Sequence, residues 1–278
     1  MSSNPFYTFK NKESLPKEKY DTFTVTRKGH IIHLELCRPQ EFNSANFNHY
    51  DDFVHFFNTV TYERDVRCIV MTAVGKHFCA GLDLKRTAGE TMLFDDDQDQ
   101  ARRSLELEKR VIQMQNAYTA IEKCRWPVIA GVHGGCIGTG VDMITACDVV
   151  YCTKSAFFSI KEVDNAMIAD FGTLQRLPII TSNWHLMKEY SLTGEKIVSD
   201  EAVKLGIVSR VFQNEEEMKK GLFRVAQIIA LKSPVAIAGI KHTINRPRNQ
   251  VIDDGLIYAK SPLIGCFNST LRSRNSRC

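Results

Sequence analysis

Three carboxylates and two glycine-bearing loops are the residues in this chain whose types and order could do chemistry. The first loop is Cys79-Ala80-Gly81-Leu82-Asp83-Leu84; the second runs His133-Gly134-Gly135-Cys136-Ile137-Gly138-Thr139-Gly140-Val141-Asp142. Each follows an apolar run of strand length and precedes a helical pattern. Glycine lets backbone N–H groups approach a ligand closely, and a helix start adds unpaired donors and a positive dipole end. Two such loops can aim two N–H groups at one carbonyl oxygen, which is an oxyanion hole. Downstream lie Asp142 at a helix start, Glu162 in SIKEVD after a strand, Asp164 nearby, and Asp170 in IADFGTLQRLP. Singly, each carboxylate is most simply a helix cap or a surface charge; Asp170 could cap a helix starting at Phe171. Together, an oxyanion hole and carboxylates within about 90 residues are the ingredients of enolate chemistry, in which protons move at carbon.

Other chemistries lack their residues. HGGCIGTGVD is not in register with a dinucleotide fingerprint, and no G-K-[ST] follows it. There is no G-x-S-x-G elbow and no H-E-x-x-H. The nine cysteines form no C-x-x-C pair and several sit in apolar runs, as reduced, buried intracellular thiols do. His77 and His133 abut the glycine loops, where a lone histidine reads as a packed residue rather than a base. A net charge of +4 suits an anionic small substrate and gives no case for nucleic acid. No secretory signal precedes the core, and no apolar stretch is long enough to span a membrane.

The elements that must position these residues follow from patterning. Residues 1–22 read as a polar arm. Strands are predicted at Phe23–Val25, Ile31–Leu36, Arg67–Ala73, Val128–Val132, Val149–Cys152 and Ala156–Ser159. A helix is predicted over Phe47–Thr61, with Phe53, Phe56, Phe57 and Val60 on its apolar face. A long one follows from Gln100 to Cys124, with Leu107, Val111, Met114, Tyr118 and Ile121 as its buried stripe. The glycine-rich segment after Val132 is predicted as a turn, with a helix from Val141 to Ala146. Asp95-Asp96-Asp97 reads as solvated surface. From Glu215 the chain is mostly helical, with Ser233-Pro234 starting one helix. The result is an α/β core over 23–214 and a helical region over 215–278.

These segments jointly resemble the crotonase, or enoyl-CoA hydratase/isomerase, superfamily over roughly residues 24–260. The marks are CRPQEFNSAN, FCAGLDL, WPVIAGVHGGCIGTGVD and the ACDVVYC strand. The run from His133 to Pro178 is most similar to the Δ3,5-Δ2,4-dienoyl-CoA isomerase branch. The resemblance implies a spiral of β-β-α units whose C-terminal helices build a homotrimer or homohexamer. It places the oxyanion donors on the N–H groups of Leu82 and Thr139, and the CoA-lining segment on Ala80, Gly81, Leu82, Asp83 and Leu84. The two hydratase glutamate positions fall on Asp142 and Glu162; the isomerase branch has Asp at the first and adds a catalytic Asp eight residues after the second, here Asp170. Thr139 stands where the family has glycine, and Asn165-Ala166 where it has a small Val-Gly pair. The chain beyond Tyr258 is shorter than the family pattern.

The implied chemistry moves double bonds in a fatty acyl-CoA, from 3,5-dienoyl to 2,4-dienoyl, within β-oxidation. Glu162 and Asp170 relay protons while Asp142 orients or polarises the pocket. No metal or redox cofactor is required, because CoA arrives as part of the substrate. Two alternatives stand: a hydratase holding water between Asp142 and Glu162, and a non-catalytic acyl-CoA- or RNA-binding member of the fold. The tail Ser276-Arg277-Cys278 has the small-basic-X shape of a peroxisomal address without its usual Leu; a mitochondrial location is the other expectation.

Overall fold

The computed structural model describes residues 20–83 and 100–245, with side chains given from Glu108 onward in the second stretch. Leu84, Asp95–Asp97, the Leu107 side chain, most of the arm and the chain after Asn245 lie outside the described residues.

Strands β1 (Phe23–Lys28) and β2 (Ile31–Leu36) form an antiparallel hairpin, followed by helix α1 (Phe47–Val60). Then come β3 (Cys68–Ala73), α2 (Gln100–Lys123), β4 (Val128–Val132), β5 (Gly135–Ile137) and α3 (Thr139–Thr145). After β6 (Val149–Thr153) and β7 (Phe157–Ser159), a 3-10 turn (Lys161–Asn165) leads to α4 (Thr173–Ile180) and α5 (Trp184–Thr193). The chain continues through β8 (Ile197–Val198), α6 (Ser199–Lys204), β9 (Arg210–Phe212), α7 (Glu215–Ala230) and α8 (Pro234–Asn245).

A large sheet has the order β1-β2-β3-β4-β6-β9, parallel from β2 onward. Its central strand β3, CIVMTA, is buried at every position, as a parallel strand covered on both faces must be. One face packs on α1 and α2 through Phe53, Phe56, Phe57, Met114, Tyr118 and Ile121. The other packs on α7 through Met218, Leu222 and Ala226. Asn46 caps α1 by accepting from the His49 N–H at 3.0 Å, and Asn214 caps α7 from Glu217 at 2.9 Å.

The glycine-rich segment predicted as a turn contains a strand. β5 leaves the large sheet and joins β7 and β8 in a second, three-stranded one. Cys79 makes a parallel bridge to Cys136 of β5. Successive units therefore place one strand in each sheet, which is the expected crotonase-like spiral. The helix after β5 begins at Thr139, two residues earlier than predicted. α4 begins at Thr173 rather than Phe171. The seven described cysteines are all free thiols. No single helix among the described residues is long and apolar enough to cross a membrane.

Ala166 closes the 3-10 turn at φ 55°, a left-handed conformation that its Cβ resists. Replacing it with glycine removes that strain. Ala166→Gly is expected to raise the unfolding free energy by about 0.5–1 kcal/mol, read as a higher urea midpoint with an unchanged slope. A lowered midpoint would show that no strain resides there.

Candidate active site

The two loops are paired with each other before any ligand is considered. The Cys79 N–H donates to Gly135 O at 3.1 Å, and the Ile137 N–H donates to Cys79 O at 2.9 Å. The first loop is also tied to Ala45. Ala45 donates to Gly81 O at 2.9 Å and receives the Asp83 N–H at 2.8 Å. In this bridge the Leu82 N–H faces the opposite way from the Asp83 N–H. Neither it nor the Thr139 N–H has an acceptor among the described residues. Thr139 is the first residue of α3, so its N–H is one of the donors a helix start leaves unpaired.

Gly138 precedes it at φ 50°, ψ −117°, which a Cβ-bearing residue avoids. A Cβ there would also lie 3.1 Å from Glu162 Oε1. The bare backbone at Gly138 thus lets the Glu162 carboxyl rest beside the second donor. Asp142 is one turn along α3 and fully buried. Its Oδ1 accepts from the Thr173 N–H at 2.7 Å and from the Thr173 hydroxyl at 2.6 Å. The cap of α4 is therefore Asp142, reaching over from α3. Asp170, which the sequence offered as a cap, is two residues short of the N-cap position Gly172 and half-buried.

Burial raises all three carboxyls. Asp142 is pushed up to about 6 by burial, against the pull of the Thr173 hydrogen bonds. Burial pushes Glu162 up to about 7, and the charges of Asp142 and Asp170 add to it. Asp170 is raised by burial as well. Asp142 Oδ2 and Glu162 Oε2 are buried oxygens without a hydrogen-bond partner. Buried polar atoms are normally satisfied, so two such oxygens in one place are unusual.

The remaining predicted residues sort cleanly. Asp83 is tied to Arg38 at 3.3 Å and braces the first loop. Ala80 anchors that loop through its N–H to Phe42 O at 3.0 Å. His77 Nδ1 accepts from the Gly135 N–H at 2.9 Å, and His133 Nε2 bonds Gly75 O at 2.8 Å, so both histidines are loop braces. Asp164 pairs with Lys161 at the surface.

Residues 26–270 match the enoyl-CoA hydratase/isomerase family. The chain belongs to that family. It is 41% identical over 244 residues to the peroxisomal Delta(3,5)-Delta(2,4)-dienoyl-CoA isomerase of Arabidopsis thaliana, covering 87% of each chain. It is 41% identical over 247 residues to the mitochondrial enzyme of that name from Mus musculus, covering 88% of this chain and 75% of the other. The enoyl-CoA hydratase structure from Bacillus anthracis superimposes with a TM-score of 0.80 at 24% identity, covering 92% and 97%. That likeness shows the crotonase fold.

Several site residues of this family member carried no signal in the sequence. Thr173 and Arg176 look like ordinary helix residues in TLQRLP. Tyr50 and Tyr118 fall in apolar stripes, yet their hydroxyls lie 3.2 and 2.6 Å from Thr139 Oγ1. A phenol at a fully buried position is the one available clue, since it needs a partner.

The raised Glu162 carboxyl sets a stability dependence. Its ordinary value is 4.5 and its folded value about 7. Its contribution is intact below pH 4.5 and is lost as the pH rises through about 7, because the folded state resists ionising it. Glu162→Gln is expected to be more stable than the parent at pH 8.5 by about 1–2 kcal/mol, with little difference near pH 4.5. Urea titrations at the two pH values measure this; a less stable variant at pH 8.5 would mean the carboxylate is satisfied.

Proposed function

We propose that this chain is a Δ3,5-Δ2,4-dienoyl-CoA isomerase working by a carboxylate proton relay. The observation that carries the reading is the division of labour among the three carboxyls. Asp142 spends one oxygen capping α4, while Glu162 rests against the Gly138 backbone beside the Thr139 N–H. A hydratase needs both Asp142 and Glu162 free to hold a water, and this capping role disfavours it. The names of the curated relatives support the same choice.

In the relay, the thioester oxygen sits between the N–H groups of Leu82 and Thr139. Each donor stabilises the developing dienolate by about 3 kcal/mol. Asp170, the less enclosed of the pair, takes the proton from C2 as an ionised base. Glu162, which holds its proton up to about 7, gives one at C6. The electron pair released at C2 shifts through the conjugated system, moving the double bonds from positions 3 and 5 to 2 and 4. The exchanged protons then re-equilibrate with solvent. Asp142 fixes the frame of α3 against α4.

Asp170→Asn and Glu162→Gln are each expected to cut turnover of a 3,5-dienoyl-CoA by about 10²-fold or more. The absorbance of the conjugated product reports it. KM should change little, and the double variant should be little worse than either single one. The parent's kcat is expected to fall as pH rises through about 7, where Glu162 loses the proton it must give. Near-normal turnover in a well-folded Asp170→Asn protein sinks the reading; a kcat that rises through pH 7 reverses the two roles.

Self-association fits the exposed apolar side chains around α7 and α8, Ile228, Leu231, Val235, Ile240 and Ile244. A homotrimer or homohexamer is the expected species, and a lone monomer in sedimentation at micromolar concentration would refute it. The curated relatives are peroxisomal or mitochondrial, and one of those compartments is proposed here. If the tail is a peroxisomal address, an N-terminally tagged chain leaves peroxisomes when Ser276-Arg277-Cys278 is deleted; an unchanged distribution rejects the tail as the address.

A further inference from the structure

Asp170 is held by no regular element. It lies in a turn between the 3-10 segment and α4. Its N–H donates to Ile168 O at 3.0 Å, a bond within the same loop. Its carbonyl accepts from Gln115 Nε2 of α2 at 2.8 Å. A carbonyl only accepts, so the Gln115 amide nitrogen must face it. That bond fixes the peptide plane after Asp170, and with it the direction in which the carboxyl leaves the chain.

Gln115 is the first of three polar residues at four- and three-residue steps on one face of α2, the others being Thr119 and Glu122. Gln115 reaches Asp170 itself, whereas Thr119 and Glu122 reach that segment only through a side chain of α4. Arg176 of α4 joins them, with Nε on Glu122 Oε2 at 2.8 Å and Nη2 on Thr119 Oγ1 at 3.3 Å. Its Nη1 donates to Phe171 O at 3.4 Å. The guanidinium lies where a Cβ at Gly172 would be, 1.7 Å from Nη1. Consecutive carbonyls, those of Asp170 and Phe171, are thus each held by a side chain, Gln115 and Arg176.

We infer that Gln115 is a positioning residue for the reaction: through the Asp170 carbonyl it holds the Asp170 carboxyl at the distance proton transfer requires. The inference rests on the relay reading above and deepens it. Proton transfer between heavy atoms needs hydrogen-bond reach, and a displacement of about 1 Å can cost about 10²-fold in rate. Thr119 and the Arg176–Glu122 pair serve the neighbouring carbonyl and keep the loop from pivoting at Gly172. Gln115 never touches substrate in this account; it acts only through Asp170.

The test is a double-mutant cycle on the full chain with a 3,5-dienoyl-CoA as substrate. Gln115→Met keeps length and volume but removes the donor. It is expected to lower kcat by about 10- to 100-fold with KM within about twofold. In an Asp170→Asn background the same change should add nothing, because there is no longer a carboxylate to misplace. Gln115→Asn keeps the amide one methylene short and should give an intermediate kcat; it also serves if Gln115→Met folds poorly. Loss of activity that is additive with Asp170→Asn would mean a general structural role and overturn the inference. So would a kcat within twofold of the parent in both Gln115 variants while Asp170→Asn remains crippled, an outcome that leaves the relay intact. Near-normal turnover in Asp170→Asn itself would instead remove the relay, and this inference with it.

Discussion

The pairing of Cys79 with the backbone of β5 is the constraint on which the site depends. Two hydrogen bonds join loops that are more than 50 residues apart in sequence. They set where the Leu82 N–H lies relative to the Thr139 N–H. Preorganised donors stabilise charge because they need no rearrangement when it develops. The surrounding braces serve that same end. His77 holds Gly135, His133 holds Gly75, and Arg38 holds Asp83. None of these side chains needs to meet substrate to matter; each removes a degree of freedom from a donor.

The carboxyls obey an opposite logic. Donors are stabilised where they sit, whereas the acids are held where ionisation is opposed. Asp142 and Glu162 each leave one oxygen buried and unpartnered, and their raised proton affinities are the electrostatic face of that cost. A carboxyl whose proton leaves near neutrality suits exchange with carbon, since its affinity is closer to that of the substrate's acidified C–H. Functional sites retain such locally unfavourable arrangements when the rest of the fold is stable enough to hold them. Asp142 shows the balance within a single residue: one oxygen strengthens the helix junction through Thr173 and the other is left bare.

Much of this frame was legible in the sequence, for identifiable reasons. The stripe Phe53, Phe56, Phe57 and Val60 and the run CIVMTA announce burial by period and composition, and both lie in the core. The loops were visible because glycines cluster only where backbone must approach backbone or ligand. Element starts were less legible. β5 was hidden inside a glycine run because its pairing partners, Cys79 and β7, are remote in sequence. The cap of α4 was not legible: a local pattern offers only the nearest acidic residue, Asp170, as an alternative to its relay role. The real cap comes from Asp142 on another helix, a tertiary contact that no window around residue 170 contains. Gln115, Thr119 and Glu122 illustrate the same limit: their spacing gives a polar face, but not what that face touches.

Thr139 shows how the fold accommodates a buried hydroxyl at the start of α3. Glycine at this position would offer the N–H and nothing else. Threonine offers the same N–H, but it brings a hydroxyl into a site only 2% exposed. An unpaired hydroxyl there would cost about 1–3 kcal/mol. Tyr118 and Tyr50, both fully buried, place their phenol oxygens 2.6 and 3.2 Å from it. Burial also raises both phenols above their ordinary range, so they stay protonated and able to donate. One hydroxyl oxygen can accept from both, which gives each buried phenol a partner. The three residues come from α1, α2 and α3, so the same network that settles the threonine ties the first turn of α3 to two long helices. Glycine there would free the backbone at residue 139 and strand two buried phenols. Thr139, Tyr50 and Tyr118 are therefore one structural unit, and the backbone N–H that opens α3 sits on its most constrained member.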